Sequence, residues 1–449
     1  SYAIFGVSPF SARLFSVLMG ILTMVVVYRS VLRFVDKISA FLSALILTVS
    51  IQLCVQFHLA VPDPYLIFFL TWGLLSFYRG YRENHERSFY FFYVGVSLAT
   101  LAKGPVALIF AGLIVLVFLI VKKKFQLSTF LQIKIFQGAL IFLVIVVPWY
   151  VLVGLSTEGE WLRRFFFEHN VGRFTSTMEG HGGFPFASVV ILIVSLMPFS
   201  FFSPQAISYS WKKRDENDFL LYCLIATSVI VLFFAVSRTI LPNYPEPAAP
   251  FFAVLLGVYF SSIINNQNVV RSTVWSGAIY LIISALLPVA AWIGLNQDAS
   301  LATVTSLPYY FIILSFGGLI GTILLIRGKV LQAFYCYVTS SAIFLLVFFY
   351  VVFPQVDRLN PVSQSLSRMN ESLPVMYYKD LNPAFIMALK ETIPSLQSTH
   401  DTGSYSNFYL ITQKKYLPEL DHLKANVLYE GKDLFENPTT VLLKVESVK

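Results

Sequence analysis

The sequence predicts an all-α polytopic membrane protein of about twelve spans that ends in a small C-terminal α/β domain. Three observations lead to this prediction. Hydrophobic residues make up 57% of the chain and charged residues only 12%, about half the charged share of an ordinary soluble domain. Apolar windows of about 20 residues, the length that crosses a bilayer, recur up to residue 353. Residues 354–449 change abruptly in composition and contain no such window.

Twelve apolar runs are long enough to be spans, although two are short and meet at Lys103-Gly104-Pro105. A single kinked helix is the alternative for that pair. The predicted spans are 11–34, 38–57, 61–79, 90–103, 105–121, 133–154, 186–208, 217–236, 244–264, 271–294, 307–326 and 330–353.

Lys and Arg residues are divided unevenly between the two sets of alternating loops that these spans create. Sixteen fall in one set, and six fall in the other before residue 354. Because cytoplasmic loops carry the excess of Lys and Arg, the first set is predicted to be cytoplasmic. The alternation also favours two spans between residues 90 and 121. The net charge of +8 therefore indicates membrane loops rather than nucleic acid as a partner.

The tail that follows residue 353 is predicted to lie outside the membrane, on the side opposite the basic loops. Short β-type runs at 375–378 and 441–445 flank a helix-like stretch near 383–395. This pattern is typical of a small α/β domain, so two domains are predicted, 1–353 and 354–449.

Two ionisable residues stand at the ends of predicted spans on the outer side, where an unpaired charge is costly. Asp63 opens a span between two prolines, and both a helix N-cap and a functional acid explain it. Lys103 is a single cation in a long apolar stretch and is followed by Gly104 and Pro105. A lysine that snorkels to the interface is one reading. We expect instead that its ammonium faces an anion at a broken helix end.

The loop at 155–185 is the most polar segment before the tail. The run Phe165-Phe166-Phe167 beside Glu168 and His169 predicts an amphipathic helix in the membrane interface. A solvated loop with ordinary ion pairs is the alternative. The spacing of its acids and histidines fits no strong zinc motif, so the residues alone do not favour a metal.

The corner from Ser237 to Tyr244 joins two spans through an arginine, a proline and a tyrosine. Arg pairs with phosphate through two parallel hydrogen bonds, and Tyr can add a neutral one. A corner that only anchors two helix ends also uses these residues. Four residues are predicted to converge on one outer-face anion, with Asp63 as the acid beside them: Lys103, Arg173, Arg238 and Tyr244.

Six short motifs occur in one order along the membrane region, and none is specific alone. They are Phe5-Gly6-Val7 with Phe10-Ser11-Ala12-Arg13, Pro62-Asp63-Pro64, Ala102-Lys103-Gly104-Pro105, Pro148-Trp149-Tyr150, Glu168-His169-Asn170 with Gly172-Arg173-Phe174, and Ser237-Arg238-Thr239 with Leu241-Pro242-Asn243-Tyr244. In this order they resemble the bacterial aminoarabinose (lipid A) transferase family. That family belongs to the C-type glycosyltransferases that use polyprenyl-phosphate sugars and is related to the dolichyl-phosphate-mannose protein mannosyltransferases.

The resemblance implies thirteen spans and a periplasmic α/β domain at the C-terminus. The chain then corresponds to an N-terminally truncated transmembrane glycosyltransferase domain, 1–353, and the periplasmic domain, 354–449. In the family, a first span and a first outer loop precede the Phe5-Gly6 segment, and that loop carries a central acid and a lysine that contacts the donor phosphate. We therefore expect the chain to be catalytically incompetent unless the natural protein supplies that segment.

The resemblance also implies roles for individual residues. Asp63 corresponds to the family's second outer-loop acid and is the implied catalytic residue. Ile240 departs from the pattern, because relatives often have a lysine there, and Arg238 is the residue that can compensate. Donor phosphate binding is implied for Lys103, Arg173, Arg238 and Tyr244. Glu168 and His169 fall where the family has a Glu-His pair associated with a metal, which implies a divalent metal whose further acid ligand belongs to the first outer loop.

The implied reaction moves a sugar from polyprenyl (undecaprenyl) phosphate to a cell-envelope acceptor, such as lipid A, another glycan or a protein. It takes place at the outer face of the bacterial inner membrane and inverts the anomeric carbon. No nucleotide cofactor is expected, and the sequence has no Gly-rich phosphate loop. The implied partners are the lipid-linked sugar, the lipid or glycan acceptor and the bilayer, without nucleic acid.

Two other functions are compatible with the same residues. A lipid-linked substrate transporter or flippase could use the basic cluster to bind a headgroup, and a non-catalytic scaffold could present the tail. Transporters place ionisable residues in the middle of spans, whereas the ionisable residues here lie at the outer helix ends. This placement favours the enzyme.

Overall fold

The structure is a computed structural model that describes residues 2–167, 186–237, 240–266, 270–297, 299–396, 407–434 and 438–446. The chain divides into two compact units. The first consists of Ser1–Ala12, Ser284–Ile312 and Leu346–Lys449, and the second of Arg13–Ile283 and Ile313–Leu345. The predicted domain boundary at 353/354 is a different division of the chain and stays a prediction.

The chain is predominantly helical up to residue 366, as its apolar composition predicts. The helices of the first third are α1 Tyr2–Phe5, α2 Pro9–Phe34, α3 Lys37–Thr48, α4 Ile51–Phe57, α5 Asp63–Glu83, α6 Glu86–Lys103, α7 Val106–Val121, α8 Leu127–Gln132, α9 Ile135–Ser156 and α10 Glu160–Arg163. They are followed by α11 Ala187–Ser195, α12 Ser203–Lys212, α13 Asp218–Ala235, α14 Ala249–Asn266, α15 Arg271–Asn296, α16 Ile312–Ile326, α17 Val330–Val347, α18 Phe353–Asp357 and α19 Pro361–Leu366.

Each of the twelve predicted spans coincides with one helix or with consecutive helical segments. The number of spans is not confirmed. Within the described ranges, seven helices are long and apolar enough to cross a membrane, or nine if two bent pairs each count as one span. Helices α5 and α6 fall short because of the charged and polar residues at their ends, and α7 because it has 16 residues. The chain is thus a polytopic α-helical protein.

The predicted span 186–208 corresponds to a bent pair of helical segments between Ala187 and Lys212. The helix axis bends by 118° between its two arms, Ala187–Ser195 and Phe199–Lys212. Pro198 lies in the break between the arms, and the 3-10 segment Phe199–Phe202 begins the second arm. A proline removes a helical hydrogen bond and clashes with the preceding turn, which accounts for the break.

Helices α5 and α6 form a hairpin that positions the site described below. Asn84 adopts the left-handed conformation with φ of 51° and ends α5, so that α6 begins two residues later. Gly73 and Gly95 face each other, and a Cβ on Gly95 would lie 2.8 Å from the carbonyl oxygen of Phe69. Small residues allow membrane helices to approach this closely. The hairpin brings the first residue of α5 and the last residue of α6 to the same end.

Helix α14 is the central helix of the second unit and is buried over almost its whole length. It packs against α3, α12 and α13. Helices α9 and α15 instead expose most of their apolar side chains. Apolar faces of that size are expected where helices contact lipid.

The tail forms a four-stranded sheet with strands β1 Val375–Tyr377, β2 Asn407–Gln413, β3 Ala425–Lys432 and β4 Thr439–Glu446 in the order β1-β2-β4-β3. Strands β1 and β2 are parallel, and the other neighbours are antiparallel. Buried side chains cover both faces of the sheet, with Leu410 and Leu443 in one cluster and Tyr409 and Leu442 in the other. The predicted α/β class of the tail is therefore confirmed.

The helix of the tail, α20 Ala384–Leu389, is shorter than the predicted stretch 383–395. Lys390 ends it in the left-handed conformation, with φ of 61°. Pro394 follows four residues later and disfavours helical backbone in the residue before it.

Two exposed ion pairs in the tail predict how its stability depends on pH. Hydrogen bonds from Lys415 and then Tyr416 lower the pKa of Asp380, and hydrogen bonds from Lys379 and then Tyr378 lower the pKa of Glu419. A carboxyl group with a lowered pKa stabilises the fold above its unfolded pKa, near 4, and loses that contribution as pH falls through the folded pKa.

We therefore expect the melting temperature of the tail in the intact protein to be constant from pH 7 to about pH 5. It should then fall toward pH 3. Near-ultraviolet circular dichroism of the tyrosines measures the transition. In Glu419→Gln the melting temperature should fall less between pH 5 and pH 3, because the contribution of Glu419 is absent. If the melting temperature of this variant falls as much as that of the wild type, Glu419 does not contribute to the pH dependence.

Candidate functional site

Asp63 is the first residue of α5 and is only 4% exposed. The N-cap interpretation of Asp63 is wrong, because Pro62 occupies the N-cap position and makes no side-chain capping bond. The carboxylate of Asp63 instead forms a close ion pair with the ammonium of Lys103. A carboxylate at this position also gains from the positive end of the helix dipole.

Lys103 is the last residue of α6, and its ammonium pairs with the carboxylate of Asp63 at this helix end. The outer-face anion predicted for Lys103 stays a prediction. Gly104 follows with φ of 90°, a backbone conformation that favours glycine, and its N–H donates to the carbonyl oxygen of Thr100 at 2.7 Å. Helix α7 begins two residues later. The short Gly-Pro break thus holds Lys103 beside Asp63.

A third segment, between α13 and α14, completes the arrangement. The side-chain amide of Asn243 donates to Oδ1 of Asp63 at 2.9 Å. The Lys103 ammonium lies 5.4 Å from the ring centroid of Tyr244, within the range of a cation–π interaction. Tyr244 also packs on Phe234 with a centroid separation of 4.9 Å. Lys103, Tyr244 and Asp63 therefore lie together, as predicted.

Glu246 is a buried acid near this cluster that the sequence analysis did not identify. It is fully buried, and its Oε2 accepts a hydrogen bond from the hydroxyl of Ser195 at 3.0 Å. Its Oε1 has no partner among the described residues. The 3-10 turn that begins at Glu246 packs against α5. Its sequence signal is the run Pro245-Glu246-Pro247, which has the same Pro-acid-Pro pattern as Pro62-Asp63-Pro64.

Four predicted site residues lie outside the described residues: Glu168, His169, Arg173 and Arg238. Their predicted roles in phosphate and metal binding stay predictions. In the described part of the chain, no three His, Cys, Asp or Glu side chains are grouped closely enough to hold a metal ion. The divalent metal implied by the resemblance also stays a prediction.

The beginning of the polar loop is described up to Phe167. It contains the short helix α10, whose Trp161 stacks on Phe165 with a centroid separation of 4.6 Å. Tyr150 of α9 adds a third ring, 6.4 Å from Trp161. This aromatic cluster agrees with a segment at the membrane interface, whereas the continuation of the predicted amphipathic helix lies outside the described residues.

The chemistry available at this site follows from the two oxygens of Asp63. Both described hydrogen bonds, from Lys103 and from Asn243, reach Oδ1. Oδ2 receives no hydrogen bond from any residue that the structure describes. A carboxylate held through one oxygen is oriented, and its other oxygen can accept a proton or stabilise a positive charge. Tyr244 adds a hydroxyl group that can donate to an anion.

The fold identifies the class of the protein, which is a polytopic membrane protein with the architecture of ArnT. The crystal structure of ArnT from Cupriavidus metallidurans bound to undecaprenyl phosphate superimposes with a TM-score of 0.78 and 20% identity, over 98% of this chain and 85% of that one. The apo structure of the same protein gives a TM-score of 0.76. The predicted fold class is therefore confirmed.

Sequence comparison finds related proteins of the same kind. The profile described as dolichyl-phosphate-mannose-protein mannosyltransferase matches residues 1–152. The undecaprenyl phosphate-alpha-4-amino-4-deoxy-L-arabinose arabinosyl transferase of Yersinia pestis is 27% identical over 304 residues, 66% of this chain and 54% of that protein. The resemblance described from the sequence motifs is thus confirmed.

Two uncharacterised proteins of Aquifex aeolicus are also similar. One is 30% identical over 278 residues, which cover 58% of this chain and 63% of that protein. The other is 29% identical over 263 residues, which cover 58% and 51%. The chain therefore spans between half and two thirds of the length of the curated relatives it matches.

Proposed function

We propose that this protein is a glycosyltransferase that moves a sugar from undecaprenyl phosphate, or a similar polyprenyl phosphate, to a cell-envelope acceptor such as lipid A. The observation that carries the proposal is the contact of Asp63 with Lys103 and Asn243, beside Tyr244, at one end of the helices. The ArnT fold and the arabinosyl transferase activity for which the Yersinia relative is named support it. The reaction proposed here requires no nucleotide.

The carboxylate of Asp63 is the catalytic group of the proposed reaction. Its Oδ2 accepts the proton of the attacking hydroxyl group or stabilises the positive charge that develops on the sugar. Lys103 and Asn243 hold Oδ1, so the carboxylate is oriented before the substrate binds. In this role they are positioning residues. A single displacement at the anomeric carbon gives inversion of configuration.

The leaving group is a phosphate whose negative charge needs donors more than it needs a general acid. Tyr244 lies beside the Asp63–Lys103 pair and carries a hydroxyl that can donate to the phosphate, and Lys103 can share its charge between Asp63 and the phosphate. Arg173 and Arg238 are proposed as the further phosphate ligands. A divalent metal at Glu168 and His169 is part of the same proposal.

The proposed topology follows from the charge distribution of the loops. Arg82 and Lys122 lie at the ends of α5 and α7 that are opposite to the ends near Asp63 and Lys103. If the Lys/Arg-rich loops face the cytoplasm, the Asp63 site faces the periplasm. We propose that the protein resides in the bacterial inner membrane, with a transmembrane glycosyltransferase domain, 1–353, and a periplasmic domain, 354–449.

Donor binding and sugar transfer can be tested with the natural full-length protein in lipid nanodiscs. We expect Tyr244→Phe to weaken binding of undecaprenyl phosphate by about tenfold or more, because a hydrogen bond to a charged group is lost. Tyr350→Phe is the matched control, since Tyr350 is 78% exposed. Transfer is measured with undecaprenyl phosphate that carries a radiolabelled sugar, in the presence of lipid A.

Three results would contradict the proposal. The first is that the wild-type protein transfers no sugar and that three variants bind the donor as tightly as the wild type does: Tyr244→Phe, Lys103→Ala and Arg173→Ala. The second is movement of the labelled donor across proteoliposomes without a glycosylated product, which identifies a flippase. The third is retention of configuration at the anomeric carbon in the isolated product, which contradicts a single displacement.

A further inference from the structure

We infer that the second unit binds an anionic glycerophospholipid at the end of its helices that is opposite to the Asp63 site. The inference combines a basic pocket with an adjoining apolar groove, and neither belongs to the proposed reaction. The basic pocket has a volume of about 510 Å³ and is lined by Arg82, Lys122, Lys124, Gln126, Thr129 and Asp218, among others. The apolar groove has a volume of about 610 Å³ and is lined by residues that include Phe92, Val96, Gly112, Leu119, Phe130 and Phe142.

The basic pocket has an excess of positive charge that no described acid neutralises. Lys122 pairs with Asp218 at 3.3 Å, and Asp218 also accepts a hydrogen bond from Tyr78 at 2.6 Å. Arg82 and Lys124 have no acid partner among the described residues, and both are exposed. Three cations against one acid attract a phosphate group.

Neutral hydrogen-bonding groups complete the lining of the basic pocket. Gln126, Ser128 and Thr129 add amide and hydroxyl groups, which suit the ester and glycerol oxygens of a headgroup. Gln132 donates to the side chain of Asn84 at 2.8 Å, so α8 is tied to the α5–α6 hairpin and forms a fixed wall.

The groove and the pocket share two elements. Helix α8 contributes Thr129 to the pocket and Phe130 to the groove, and α7 contributes Leu119 to the groove one turn before Lys122. The hydroxyl of Tyr93 donates to the carbonyl oxygen of Ile133 at 3.0 Å, which holds α8 against α6. Because the pocket and the groove are lined by neighbouring residues of the same two elements, a phosphate in the pocket places an attached apolar chain beside the groove.

The groove opens toward the region that lipid would occupy. Leu108, Leu116 and Leu143 line it and are exposed on the surface of the fold. The basic pocket complements the phosphate of an anionic glycerophospholipid, and the apolar groove complements its acyl chain. A soluble phosphate compound would fill the pocket only and would leave the groove empty. Helix α7 separates the pocket from Lys103 by its 16 residues, roughly 24 Å. The two sites consequently lie near opposite leaflets.

Two variants test the charged part and the apolar part separately. Arg82→Gln combined with Lys124→Gln removes two cations that have no acid partner in the described part of the chain. Gly112→Leu fills the groove, because a Cβ at Gly112 meets no atom within 4 Å. The matched controls are Arg327→Gln with Lys329→Gln, in another Lys/Arg-rich loop, and Gly294→Leu, where a Cβ also meets open space. Circular dichroism and the melting temperature check that each variant folds.

Native mass spectrometry of the detergent-purified protein counts retained lipid after titration with phosphatidylglycerol or phosphatidylcholine. The wild type should retain one phosphatidylglycerol in preference to phosphatidylcholine. The double cation variant should bind phosphatidylglycerol roughly 30-fold more weakly. Gly112→Leu should lose retention, and both controls should behave as the wild type.

Two outcomes overturn the inference. The first outcome is that the wild type retains phosphatidylglycerol and phosphatidylcholine equally, and that the double cation variant retains both lipids as the wild type does. The pocket then does not select a negative headgroup. The second outcome is that millimolar inorganic phosphate fully displaces phosphatidylglycerol from the wild type and that Gly112→Leu retains phosphatidylglycerol as the wild type does. A soluble anion rather than a lipid then occupies the pocket. Neither outcome bears on donor binding at the Asp63 site, so this test is independent of the proposed function.

Discussion

Replacement of Asp63 by Asn is expected to reduce sugar transfer by about a hundredfold to ten-thousandfold, with little change in stability. Asn preserves the size of the side chain and can still contact Asn243, but it neither accepts a proton nor carries a negative charge. Lys103 then loses its partner. Because the Lys103 side chain is 26% exposed, its charge can turn toward solvent, and the cost in stability should be small.

The measurement is the initial rate of transfer from undecaprenyl phosphate that carries a radiolabelled sugar, at saturating donor. Asp36→Asn is a suitable control, because Asp36 caps α3 by accepting a hydrogen bond from the N–H of Ser39 at 2.8 Å. Asn is an equally good N-cap, so this variant should retain both its rate and its melting temperature. A wild-type rate in Asp63→Asn would exclude Asp63 as the reacting acid.

Replacement of Gly95 by Leu is expected to have the largest effect on stability and to disable the Asp63 site from a distance. A Cβ at Gly95 would lie 2.8 Å from the carbonyl oxygen of Phe69 and 2.9 Å from Cα of Gly73. Both are backbone atoms that cannot move without separating α5 from α6. Overpacking of this kind costs about 1–3 kcal/mol, occasionally more.

The separation of the two helices should also reduce activity, because α5 begins at Asp63 and α6 ends at Lys103. A misplacement of about 1 Å can lower a rate by about a hundredfold. Thermal unfolding in detergent and the transfer assay give the two readouts. Gly294→Leu introduces the same side chain on an exposed face of α15, with no atom within 4 Å of the added Cβ, and should behave as the wild type. A normal melting temperature in Gly95→Leu contradicts the close packing.

The meeting of Asp63, Lys103 and Tyr244 could be predicted from the sequence because helix ends alternate between two sides of a membrane. Once the spans are numbered, each residue at a helix end is assigned to a side, and the Lys/Arg excess of the loops tests the numbering. The same argument could not predict which of the converging groups pair. It assigned Lys103 to a phosphate, whereas the structure also gives it a partner within the protein, Asp63.

The contribution of Asn243 and Glu246 could not be predicted by periodicity, because their partners are remote in the sequence. Asn243 contacts Asp63 across 180 residues, and Ser195 contacts Glu246 across 51. Hydropathy assigns a residue to a helix end but does not specify the rotation of the helix that selects its partner. The Pro-acid-Pro pattern at both Asp63 and Glu246 was the available signal.

The long separation between Asp63 and Asn243 has a consequence for the biogenesis of the protein. Lys103 follows Asp63 by 40 residues, whereas Asn243 follows by 180. At ribosomal elongation rates, the amide partner is synthesised on the order of ten seconds after the lysine. During that interval the α5–α6 hairpin is already complete and can enter the bilayer with its acid neutralised by Lys103. Lys103, which helps to orient Asp63 in the finished protein, would then also lower the free-energy cost of inserting the Asp63 carboxylate into the membrane.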